Sequence, residues 1–258
     1  MKGDQGRRIV TGALGLSLAL LGVSAFAGDA DIQRRIEERF AKAGLLRSSS
    51  ITLAVENGVV RLEGLAVSLD DARRAEKQAR REAKVVINEI RVVPERTRSD
   101  KAIRSDAEGA VLGYARYGVF DAVGVEVEDG MVRLTGFVLD NVRRRDIESR
   151  VARVEGVRDV HNDLRIQGGS PGDVRLRWQI YQRIYRDPLF ERYASWSDPP
   201  VRVLVDRGRV TLAGTVGSAV EQAAVGHIAR ETLAFSVSNF VQIEGDRARD
   251  EDRKRAES

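Results

Sequence analysis

The chain of 258 residues contains no cysteine. Disulfides, thiol chemistry and a lipid anchor carried on a cysteine are therefore excluded. Only two histidines occur, His161 and His227, and neither has a cysteine or a spaced carboxylate to complete a metal site. There is no G-x-S-x-G elbow and no phosphate-cradling glycine loop ending in G-K-[ST]. Nothing in the chain calls for a metal or a cofactor. Aromatic residues make up 5% of the chain and charged residues 32%, which suits small cores under much exposed surface. Apolar runs are scarce too. The one long example, Ile9 to Val23, spans about 15 residues, short of the roughly 20 that cross a bilayer.

That run follows Lys2, Arg7 and Arg8 and precedes Ala25-Phe26-Ala27, with small residues at the two positions a signal peptidase reads. Residues 1–27 therefore read as an export signal with cleavage after Ala27; an uncleaved anchor is the competing reading. The Arg7-Arg8 pair leaves twin-arginine export open, although general secretion fits the surrounding residues better. A secreted chain of small domains without disulfides points to a bacterial-type periplasm. Loss of the leader leaves 40 basic and 38 acidic side chains, so nucleic acid is not the implied partner.

What the chain does have is a threefold repeat. Val55-Glu-Asn-Gly58-Val-Val60-Arg-Leu62-Glu-Gly64 recurs as Val127-Glu-Asp-Gly130-Met-Val132-Arg-Leu134-Thr-Gly136 and as Val205-Asp-Arg-Gly208-Arg-Val210-Thr-Leu212-Ala-Gly214. Alternating apolar residues on both sides of the first glycine predict a β-hairpin in each copy. The carboxylates Glu56, Glu128 and Asp206 before these turns read as turn chemistry. A helix follows, with Ala75, Ile147 and Val225 at matching positions on the face toward the sheet, as are Ala79, Val151 and Ala229. A last strand carries Asn88, Asn162 or Asn239. A further amphipathic helix precedes each hairpin, with stripes Ile32-Ile36-Phe40-Ala43, Ile103-Ala107-Ala110-Tyr114 and Val174-Trp178-Tyr181-Tyr185. The expected fold is α+β: three tandem αββαβ modules, each a three-stranded mixed sheet with two helices on one face.

The expected bounds are 28–94, 100–167 and 172–245, with a disordered charged tail at 246–258. Pro94 to Asp100 forms the first linker. Gln167-Gly-Gly-Ser-Pro-Gly172 forms the second and reads as the more flexible.

The V-x-V-x-x-G-x-V-x-L-x-G hairpin, the helix order and the late G-V-x-x-V-x-N element at Gly156, Val157, Val160 and Asn162 resemble the BON domain, three times over. The other copies keep only Val86-Ile-Asn88 and Val237-Ser-Asn239 of that last element. The resemblance implies an exported, envelope-associated protein. It also implies phospholipid binding, envelope integrity, osmotic stress and, in some cases, chaperone-like activity.

Two features are candidates for contact. In the second helix of the first copy, Arg73, Arg74, Lys77, Arg80, Arg81 and Lys84 fall within an arc of about 120°, opposite an alanine face. Such a face can dock on anionic head groups or lie solvated, partly neutralised by Asp70, Asp71, Glu76 and Glu82. In the third copy, Tyr193 and Trp196 lie outside the helical period of the Trp178 stripe and read as surface aromatics suited to a membrane interface. The Arg143-Arg144-Arg145 cluster reads as solvated. Two functions follow. One is a non-enzymatic, peripheral rather than transmembrane protein that docks on anionic phospholipid. The other is a soluble periplasmic chaperone or interaction module that binds envelope proteins. Exposed sheet edges leave the oligomeric state open.

Overall fold

A computed structural model describes residues 27–45, 50–94, 96–196 and 198–245. Apart from Ala27, the expected leader lies outside the described residues, as does the charged tail.

The αββαβ order appears three times. Module 1 comprises α1 (Ala27–Lys42), β1 (Ser50–Glu56), β2 (Val59–Ala66), α2 (Leu69–Ala79) and β3 (Val85–Val92). Module 2 comprises α3 (Asp100–Leu112), β4 (Ala122–Glu128), β5 (Met131–Val138), α4 (Asn141–Val151), β6 (Asp159–Asn162) and β7 (Arg165–Ile166). Module 3 comprises α5 (Pro171–Arg186), a 3-10 turn (Pro188–Phe190), α6 (Glu191–Ala194), β8 (Val201–Asp206), β9 (Arg209–Val216), α7 (Ala219–Arg230) and β10 (Ser236–Ile243). In every module the hairpin strands are antiparallel, and the last strand lies parallel to the middle one. β6 and β7 both pair with β5, so they form one last strand interrupted at Asp163 and Leu164. The expected architecture holds.

The hairpins turn at Asn57-Gly58, Asp129-Gly130 and Arg207-Gly208, where both central residues have positive φ. That is the type I′ geometry that suits the strand twist, and glycine adopts it without strain. Arg207, at φ 51°, has neither a glycine's freedom nor an Asx side chain. The fold offsets this from the first helix of the module. Asp173 accepts from the backbone N–H of Arg207 at 3.1 Å and of Gly208 at 2.7 Å. Asp29 does the same for Asn57 and Gly58, and Asp100 for Asp129 and Gly130. The second glycine of each pair serves a close approach. A Cβ on Gly64, Gly136 or Gly214 would lie within about 2 Å of the carbonyl oxygen of Ser50, Ala122 or Pro200.

The late asparagines lock the last strand to the second helix. The Asn88 amide donates to Glu76 at 2.9 Å, Asn162 to Glu148 at 2.8 Å, and Asn239 to the Gln222 carbonyl at 2.8 Å. In each case the asparagine oxygen accepts from the backbone N–H two residues on.

Three expectations shift. α2 ends at Ala79, so Arg80, Arg81 and Lys84 lie beyond its last helical residue. The helix that the apolar spacing of Ile147, Val151 and Val154 predicts over Leu139 to Val154 is α4, Asn141–Val151. α5 buries Leu176, Ile180 and Ile184 with Tyr185, while Val174 and Trp178 are exposed. The aliphatic residues and Tyr185 fill the core there, and Val174 and Trp178 of the stripe stay outside it.

The second linker is not loose. Gln167 is 3% exposed; its side-chain oxygen accepts from Val205 N–H at 2.9 Å and its amide donates to the Phe120 carbonyl. Val203 N–H donates to the Val119 carbonyl, covering the β8 edge with module 2 backbone. Phe120 packs edge-on to Trp178 at 4.9 Å and Tyr181 at 5.7 Å, and it belongs to the core of module 3. The aromatic stripe is thus a joint between modules 2 and 3. Modules 1 and 2 meet through Leu69, which enters the module 2 core, and through ion pairs.

A candidate anion-binding groove between the first two modules

Ser68 caps α2 by accepting from Asp71 N–H, and Asp140 caps α4 by accepting from Arg143 N–H. Each cap fixes where its helix begins, and so which side chains face the other module. Between the two helices lies a groove of about 560 Å³. Module 1 contributes Asp70, Arg73, Arg74, Lys77, Gln78 and Arg81. Module 2 contributes Arg145, Glu148, Ser149, Ala152 and Arg153. Six cations thus face two carboxylates.

The cations divide by partner. Arg73 bonds Glu148 at 2.9 Å and approaches Asp159 at 4.0 Å, and Arg153 reaches Asp70 at 3.3 Å. These pairs span the two modules. Arg74 is held by Asp71 at 3.4 Å and by the Ala43 carbonyl at 2.6 Å. Among the described residues, Lys77, Arg81 and Arg145 have no carboxylate within ion-pair distance. The Arg81 guanidinium donates to the Gln78 side-chain oxygen at 3.3 Å. These three side chains are exposed and give the groove its uncompensated charge. A second depression of about 470 Å³ adjoins it, lined by Arg73, Glu76, Lys77, Arg80 and Arg81. Burial pushes the Glu76 carboxyl upward, but the Asn88 amide and Arg80 outweigh it and hold the group below the usual carboxylate range. Glu76 therefore stays charged and compensates Arg80, which it bonds at 2.7 Å.

The structure thus divides the expected basic face. Arg73, Arg74, Lys77 and Arg81 line the groove. Arg80 turns to Glu76, and Lys84 lies outside the groove lining. The expectation for Arg143-Arg144-Arg145 also divides. Arg143 bonds Asp140 and approaches the buried Asp121 at 3.4 Å, Arg144 donates to the Asn162 carbonyl, and only Arg145 joins the groove.

Arg145, Glu148 and Arg153 were missing from the sequence-based site. A signal existed. With Ala75 and Ile147 aligned, Arg145 falls on Arg73 and Arg153 on Arg81, while module 3 carries Ala223 and Glu231 there. The same two arginines recur on both walls of the groove.

The aromatic candidates need one correction. Tyr193 is 5% exposed, not on the surface; its hydroxyl donates to buried Glu221 at 3.1 Å and accepts from Gly217 N–H at 3.0 Å. α6, absent from the sequence reading, turns the ring inward. Trp196 is 54% exposed and stands edge-on to Tyr193 at 5.2 Å. Among the described residues no cluster of histidine and carboxylate groups fits a metal ion, and no helix is long and apolar enough to cross a membrane.

The family model for the BON domain matches residues 28–94, 99–168 and 189–245. The chain belongs to the BON-domain family. BON proteins are associated with the cell envelope, and the domain is a non-catalytic, binding type. The third match begins inside the 3-10 turn and leaves α5 out, where the aromatic joint departs from the other two modules. No curated protein matches the chain. Among solved structures, the C-terminal domain of CdsD, a structural protein of the type III secretion system of Chlamydia trachomatis, is 14% identical. It covers 83% of this chain and 97% of its own, at a TM-score of 0.25. A second CdsD structure is 14% identical, covers 86% and 97%, and has a TM-score of 0.23.

Proposed function

We propose that this BON-domain protein is a non-enzymatic, exported protein of the periplasm that docks peripherally on anionic phospholipid and supports envelope integrity. The groove between α2 and α4 is its head-group site. The observation that carries this reading is the set of three uncompensated cations, Lys77, Arg81 and Arg145, on two walls of one cleft. A single helix face offers cations in a row; two facing helices can surround a phosphate. Each cation near a charged bilayer contributes on the order of 1 kcal/mol. Exposed charges are screened over about 10 Å at 0.1 M salt, so the association is salt-sensitive.

Co-sedimentation of the protein with vesicles at low and high salt tests this. The reading expects binding to anionic vesicles, weakened by salt, and little binding to neutral ones. Binding to neither, with capture of an envelope protein or suppression of client aggregation instead, would replace it with the protein-binding role.

A further inference from the structure

Module 3 departs from its sisters at the turn between its second helix and its last strand. Where module 2 has Gly156-Val157-Arg158 and module 1 has Glu82-Ala83-Lys84, module 3 has Leu233-Ala234-Phe235. The backbone anchor is unchanged. Phe235 N–H donates to the Gly208 carbonyl at 2.8 Å, as Arg158 N–H does to Gly130 at 2.9 Å. Ala234 packs against the module 3 core, as Val157 does in module 2. Only the flanking side chains differ, and they are apolar and bare: Leu233 is 98% exposed and Phe235 79%. A fixed turn thus presents two apolar prongs.

Two cations flank them. The Arg209 guanidinium lies 5.7 Å from the centre of the Phe235 ring, and Arg207 occupies the adjoining hairpin turn. Neither has a carboxylate within ion-pair distance among the described residues. Asp206, which precedes Arg207 and faces Arg209 across the hairpin, forms no ion pair with either among the described residues, and Glu231 is engaged by Arg183 at 3.7 Å and His227 at 3.1 Å. Apolar tips flanked by two unpaired guanidinium groups complement a surface whose outer layer is phosphate and whose inner layer is acyl chain.

We propose that the α7–β10 turn of module 3 inserts Leu233 and Phe235 into the interfacial layer of an anionic bilayer, with Arg207 and Arg209 at phosphate level. This rests on the anionic-membrane reading above and adds a contact separate from the groove. The absence of cysteine provides the test. Phe235→Cys gives one site for an environment-sensitive fluorophore, and Ser105→Cys, exposed on α3, gives the control. With anionic vesicles the label at 235 blue-shifts and brightens several-fold, while the label at 105 does not. In the unlabelled protein, Leu233→Ser with Phe235→Ser weakens vesicle association by on the order of tenfold without lowering the denaturation midpoint. If vesicles sediment the protein but the label at 235 stays unchanged, insertion is wrong and docking through the groove stands. If no vesicle sediments the protein, both readings fall. If the double serine variant only dissociates an oligomer, the turn is a contact between copies and the proposal is overturned.

Discussion

Asp29, Asp100 and Asp173 each hold both N–H groups of a hairpin turn that lies about 30 residues away in sequence. Asp173 is the sharpest case, because it is buried and supports a turn with arginine at positive φ. Asp173→Ala lowers unfolding free energy by about 2 kcal/mol in a denaturant titration, the scale of losing hydrogen bonds to a charged group. The acid dependence follows from the same geometry. Burial pushes the Asp173 carboxyl up, but the Gly208 N–H, Ser170 and Arg207 N–H outweigh it and hold the group below its ordinary value. A depressed folded value means the stabilisation is complete above about pH 4 and is lost as pH falls through that depressed value. The parent therefore loses more stability than Asp173→Ala on acidification below about pH 4, and an equal loss in both would contradict the assignment. The glycines of these turns were legible because a positive φ selects residue type locally. The aspartates were not, because nothing local marks a residue whose partners are 34 and 35 positions distant.

Among elements, α5 shows how far periodicity reaches. Both Trp178-Tyr181-Tyr185 and Leu176-Ile180-Ile184 have helical spacing, and the sequence does not say which faces the sheet. The sheet of module 3 takes the aliphatic set, and Phe120 of module 2 takes the outer aromatic edge. Composition misled at Gln167-Gly-Gly-Ser-Pro-Gly172 for a related reason. Glycine and serine signal a free linker, but Gln167 finds partners 38 and 47 residues away. Modules 2 and 3 are therefore expected to unfold together. Phe120→Ala costs about 3 kcal/mol, and it shifts the transition seen by the tryptophans, both of which lie in module 3. A tryptophan-monitored transition left unshifted by Phe120→Ala would show the joint to be weak.

For the whole molecule, the repeat made the architecture readable, since three copies of one pattern fix strand order and module size. It left the groove half visible. The arginines on α2 stood out as a face, but their counterparts on α4 become a second wall only when the two modules are packed. The modules meet through Arg73–Glu148 and Arg153–Asp70, so Arg73 serves the junction and Lys77, Arg81 and Arg145 are left for the proposed ligand. That division makes the central claim testable by sedimentation with anionic vesicles. The groove variant Lys77→Glu, Arg81→Glu, Arg145→Glu is compared with Arg91→Glu, Arg104→Glu, Arg175→Glu, three exposed arginines outside the groove that change net charge equally. The groove variant loses vesicle affinity by on the order of 100-fold, and the control keeps most of it. Equal loss in both would mean that net charge alone drives binding, and full binding by the groove variant would show that the cleft between the first two modules is not the site.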